Sequence, residues 1–138
     1  MIIEHTHGSD ECRIELAVAM GKIWETWEAC AAEGHPCQPQ CTFEREGATD
    51  GGTMTLASWS AEIRRRLSPG LCDALDANMA QCLSMVGGSV GPGSPCENWE
   101  TVGGCIVNSL ETVCDGVSRR GRIWPPIWGF PWYRRGRK

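Results

Sequence analysis

The chain predicts an all-α fold: a small disulfide-rich four-helix bundle, then an extended, disordered Trp/Pro/Arg-rich C-terminal tail. Three observations carry this expectation. Apolar residues recur at steps of three and four in four separate stretches, the period of an amphipathic helix face. Nine cysteines (Cys12, Cys30, Cys37, Cys41, Cys72, Cys82, Cys96, Cys105 and Cys114) fall before the tail, a density that favours a disulfide framework and an oxidising compartment. The last twenty of the 138 residues hold seven of the thirteen Lys and Arg residues and no acidic one. Residues 1–118 hold the other six basic and all seventeen acidic side chains, so the tail carries +7, the body −11 and the chain −4. Such a division gives each part its own partner, or makes one part the partner of the other.

Residues 1–8 are expected to be a disordered N-terminus, 9–118 a disulfide-stapled helical domain and 119–138 the cationic tail. Met1 to His7 has no basic start and no apolar run of the kind found in a signal peptide. Either the chain is a mature or truncated product of a secreted protein, which the cysteines favour, or the protein is cytosolic and its cysteines are reduced. No stretch is long and apolar enough to cross a membrane.

The first helix is predicted over Ser9–Ala32. Ser9 can cap it, and Asp10 and Glu11 suit the positive end of its dipole. Its apolar stripe is Cys12, Leu16, Met20, Ile23, Trp27 and Cys30, widened by Trp24. Cys12 and Cys30 lie five turns and about 27 Å apart on one face, so each must bond another element. Gly34 to Cys41, with Pro36 and Pro39, reads as a loop stapled at Cys37, Cys41 or both. A metal site built from His35, Cys37 and Cys41, with His5 and His7, is the weaker reading because the ligand spacings are not familiar ones. Thr42 to Thr53 is polar and Gly-rich, and reads as an exposed loop.

A short second helix is predicted over Thr55–Leu67, with Leu56, Trp59, Ile63 and Leu67 on one face. Arg64, Arg65 and Arg66 near its end read as a solvated helix terminus rather than a processing site or anion patch. The third helix opens at Ser68-Pro69 and runs to Val86, with Cys72, Leu75, Met79, Cys82 and Val86 as its buried stripe. Gly87 to Gly93 reads as a linker. The fourth helix starts at Ser94-Pro95-Cys96-Glu97, a capping-box pattern, and continues to Cys114. It carries Trp99, Val102, Ile106, Leu110 and Val113 inward, and Gly103-Gly104 either admits a close neighbour or interrupts it. Cys96, Cys105 and Cys114 are spaced by nine, so the middle one faces a different partner from the other two. Disulfide connectivity stays open, since eight cysteines alone allow about 105 pairings. The ninth is a free thiol or forms an intermolecular disulfide.

In the tail, Pro125, Pro126 and Pro131 remove backbone donors and fix φ, which excludes a stable helix or central strand and favours extended, polyproline-like backbone. Trp124, Trp128, Phe130, Trp132 and Tyr133 stand between Arg122 and Arg134-Arg135. Trp and Tyr favour the membrane–water interface, and Arg is drawn to anionic lipid. Over Ile123–Arg135 the composition and rhythm resemble the Trp/Pro-rich cationic host-defence peptides of the indolicidin-like kind. The flanks resemble the processing signals of peptide precursors. Arg119-Arg120 and Arg122 match a dibasic cleavage site, and Gly136-Arg137-Lys138 matches an amidation signal. Trimming Arg137 and Lys138 and converting Gly136 would leave amidated Arg135.

The resemblance implies a membrane-active, antimicrobial peptide released by processing proteases, acting on an anionic membrane surface and masked by an acidic helical pro-domain until then. The alternatives are a secreted helical binding module with a basic anchoring tail, and a peptide hormone or pheromone precursor. No specific nucleic-acid motif, metal site or cofactor is expected. No catalytic set is visible: there is no Gly-x-Ser-x-Gly, phosphate loop or His-Glu-x-x-His. The adjacent cysteines and His-Asp pair of secreted phospholipases are also absent. An enzyme is not expected.

Overall fold

The computed structural model describes residues 2–114, and the body there is helical, with five helices and four disulfides. In chain order these are α1 (Ile2–Ala32), α2 (Gln38–Arg45), α3 (Leu56–Ile63), α4 (Pro69–Ser84) and α5 (Cys96–Val113). Helices α4 and α5 form the most extensive pairing. Helix α2 packs on both α1 and α5, and α3 leans on α4.

The stripe read for the first helix faces inward: Leu16, Met20, Trp27 and Cys30 are all buried, and Cys12 and Ile23 pack at the edge of the core. The helix starts earlier than expected, at Ile2, so Ser9 lies inside it rather than at its start.

Helix α2 corrects the reading of Gly34 to Thr53 as two loops. Pro39 sits in its first turn, where the missing N–H would have had no intrahelical partner. Pro39, Cys41, Thr42 and Phe43 are buried, and the hydroxyl of Thr42 donates to the Gln38 carbonyl at 2.8 Å. The helix closes on Gly47, whose φ of 85° is the left-handed conformation such an end needs. The amide of Ala48 bonds Phe43 O, and that of Gly47 bonds Glu44 O. A Cβ at Gly47 would also meet the Glu62 carboxylate at 2.9 Å.

Thr55 caps α3, with a reciprocal bond to Ser58 completing a capping box. The helix proper ends at Ile63, and Arg64 to Leu67 wind on as tight turns. Helix α4 begins at Pro69, but Ser68 does not cap it. Both its amide and its hydroxyl donate at 3.0 Å to Glu15 of α1, a contact between helices in place of a local one.

The Gly/Ser segment after α4 is bonded to the body rather than spanning freely. Val90 and Met54, both buried, exchange backbone bonds of 2.7 and 3.2 Å, and Trp99 Nε1 donates to Gly91 O. The expected capping box on α5 does not form: Ser94 Oγ accepts from the Gly91 amide, and Pro95 takes the cap position. Helix α5 is continuous through Gly103-Gly104. Trp99, wholly buried, meets Phe43 with ring centroids 6.2 Å apart at the centre of the core.

Cys12 bonds Cys114, Cys30 bonds Cys41, Cys37 bonds Cys96 and Cys82 bonds Cys105. Cys105 thus points to α4, while Cys96 and Cys114 reach the α2 start and α1, as the spacing by nine requires. Cys72 is the free thiol, which removes it from the expected disulfide set.

Candidate functional site

The residues that carry the sequence-level reading lie outside the described residues. These are Trp124, Trp128, Phe130, Trp132, Tyr133, Arg134 and Arg135 for the membrane, and Arg119, Arg120, Arg122, Gly136, Arg137 and Lys138 for processing. What the fold places is the point from which they depart. Cys114, buried at the end of α5, is bonded to Cys12 of α1 with Cα atoms 6.0 Å apart. Arg119 follows five positions later in the sequence.

The body's own cations are largely committed to its own acids. Arg45 makes a two-armed bond to Glu33, which holds that carboxyl below its usual range. Arg64 bridges Asp73 at 2.8 Å and Asp76 at 2.6 Å, and these carboxylates push its guanidinium pKa further up. Arg65 bonds Glu62 at 3.0 Å. Arg66 is the most enclosed of the four, its side chain 30% exposed. It donates to Glu46 Oε1 and to the Glu46 carbonyl, both at 2.7 Å, and to Glu62 at 3.0 Å. Thr26 of α1 donates to the other Glu46 oxygen, so this cluster joins α1, α2 and α3.

The Arg64-Arg65-Arg66 triplet is thus a solvent-exposed helix end, as expected, whose guanidinium groups are paired with the body's own carboxylates. Removing the Arg66 side chain leaves Glu46, 10% exposed, to Thr26 and Glu62, 11% exposed, to Arg65. Arg66→Ala is expected to cost about 2 kcal/mol, short of a fully buried pair because water still reaches the site. Arg65→Ala, whose side chain is 75% exposed, is expected to cost under about 0.5 kcal/mol. Urea unfolding of the two variants checks the contrast, and equal losses would refute it.

His35 Nδ1 accepts from the Cys37 amide at 3.0 Å, and Cys37 and Cys41 enter separate disulfides, so the three are not arranged as a ligand set. Among the described residues no group of three or more His, Cys, Asp or Glu side chains could hold a metal ion, and no helix is long and apolar enough to cross a membrane. Cys72 is fully buried, its thiol donating to the carbonyls of Ile63 and Leu67. Burial pushes that thiol up, which disfavours the thiolate that disulfide exchange needs. Bonding to another chain would first require α4 to open. An open cleft of about 410 Å³ beside α3 is lined by Asp50, Thr55, Ser58, Glu62 and Arg65. Its Thr55 and Ser58 are used in the capping box and its Glu62 by two arginines.

Periodicity alone did not bring out the outer face of α1. Ile14 is 56% and Val18 70% exposed, one turn apart, and Glu11, Glu25 and Glu28 are exposed on the same helix. The signal was available, because Ile14 and Val18 are apolar yet fall off the buried stripe.

No protein-family model, curated protein or solved structure matches the chain.

Proposed function

We propose that this chain is the precursor of a cationic Trp/Pro-rich membrane-active peptide, carried and masked by an acidic, disulfide-stapled helical domain. The observation that carries the reading is the charge partition: +7 within the last twenty residues against −11 in the rest. An acidic partner in the same chain offsets the attraction of the arginines to anionic lipid until the two are separated. Four disulfides fit an oxidising compartment, and secretion follows from that as part of the proposal. The domain acts as a carrier and has no catalytic role in this reading.

The fold also supports selective cleavage. A processing protease needs an extended strand of substrate, and Arg64-Arg65-Arg66 is wound into hydrogen-bonded turns and tied to four carboxylates, those of Glu46, Glu62, Asp73 and Asp76. Arg119-Arg120 lies past the last disulfide. Mass spectrometry of the natural secretion is expected to find a peptide beginning near Gly121, Arg122 or Ile123 and ending in amidated Arg135. The body should be recovered uncut at Arg64 to Arg66. Finding only the intact chain, still ending in Lys138, would overturn the proposal.

A further inference from the structure

The outer face of α1 combines an apolar patch with acidic residues. At 3.6 residues per turn, Glu11, Ile14, Val18, Gly21, Glu25 and Glu28 fall within an arc of about 100°. All six are exposed. The strip they form is about 25 Å long from Glu11 to Glu28. Three carboxylates against Lys22 leave it net negative.

Cys12 lies next to Glu11 in sequence but on the inward side of α1, and the Cys12–Cys114 bond brings the end of α5 to that level of the helix. From Cys114 to Trp124 is ten residues, which can span up to about 33 Å, enough for the chain to turn onto α1. In polyproline-like backbone, Trp124 to Arg135 would extend about 34 Å, comparable with the strip. Aromatic rings and arginines on one side match isoleucine, valine and glutamates on the other.

We propose that Ile123–Arg135 docks along this strip in the uncut chain, with rings over Ile14 and Val18 and arginines beside Glu25 and Glu28. This rests on the masking function proposed above and assigns the mask to one face. The charge selects the occupant. A second copy would set the acidic strip against itself, and an anionic lipid surface would meet three carboxylates. The cationic tail complements both the charge and the apolar patch.

Photo-crosslinking in the full chain tests this, with Trp128→p-benzoylphenylalanine as the probe. Cross-links are expected within one molecule, on the tryptic peptide Ile14–Lys22 or on α1 beyond it. In the Ile14→Glu, Val18→Glu double variant the yield on α1 should fall about tenfold, equivalent to losing roughly one to two kilocalories of contact. Both positions are exposed, so circular dichroism should be unchanged. Cross-links on another part of the body, covalent dimers alone, or an undiminished yield in the double variant would each overturn the docking site. Leakage of anionic vesicles by synthetic Ile123–Arg135 amide and by the intact chain is measured alongside. An active peptide and a silent intact chain with cross-links elsewhere would keep the masking function and remove this site. An inactive peptide with cross-links on α1 would keep the contact and remove the function.

Discussion

Replacing Cys12 and Cys114 together by alanine is expected to lower the stability of the body by about 4–5 kcal/mol. The bond joins residues 102 positions apart, the longest separation of the four. In the chain-entropy account, a cross-link stabilises by restricting the unfolded ensemble, and the effect grows with the logarithm of the enclosed length. Cys30–Cys41 closes a separation of only 11, and the same reasoning gives about 3 kcal/mol for its removal. Cys37–Cys96 at 59 and Cys82–Cys105 at 23 fall between. The order of loss should therefore follow separation. Since a domain of this size is stable by only about 5–15 kcal/mol, removal of the longest link takes a large part of the total. Geometry adds to the effect, because the Cys12–Cys114 bond ties α1 directly to the end of α5. Urea unfolding of the four double variants is the measurement. A loss below about 1 kcal/mol for Cys12/Cys114, or a larger loss for Cys30/Cys41, would contradict this account.

The legible parts of the fold are those where one helix face is buried along its length. The stripes of α1, α4 and α5 could be read because Leu16, Met20, Leu75, Met79, Trp99, Val102 and Ile106 each face a packed neighbour. Helix α2 was hidden because its eight residues contain proline and several polar side chains. Its burial comes from Cys41, Thr42 and Phe43 and from two disulfides that only the tertiary fold brings together. The capping signals divided in the same way. Thr55 bonds its own helix, whereas Ser68 and Ser94 are drawn to Glu15 and Gly91, partners that a local pattern cannot reveal. The pairing of cysteines was constrained by helix phase but not decided by it. For the tail, charge and aromatic spacing are legible without any structure, because both are properties of the sequence itself. The face of α1 that could receive it is visible only once the buried stripe is known.

The three tail tryptophans are expected to decide membrane activity. Between Ile123 and Arg135 the peptide keeps Arg134 and Arg135, and Arg122 as well if cleavage leaves it. Its side-chain charge is thus two or three before the amino terminus is counted. At about 1 kcal/mol for each cation near an anionic surface, charge supplies roughly 2–3 kcal/mol, which corresponds to binding weaker than millimolar. Trp124, Trp128 and Trp132, with Ile123, Ile127 and Phe130, must supply the remainder by partial burial at the interface. Replacing the three tryptophans by alanine is therefore expected to abolish leakage of anionic vesicles. Raising the salt concentration should weaken leakage only in part, because screening acts on the charges and leaves the apolar contribution in place. Amidation matters by the same arithmetic, since a free carboxylate on Arg135 would cancel one of the few positive charges. Dye release from anionic and neutral vesicles reads all three effects. Equal release from both kinds of vesicle, or undiminished release by the alanine peptide, would refute the mechanism.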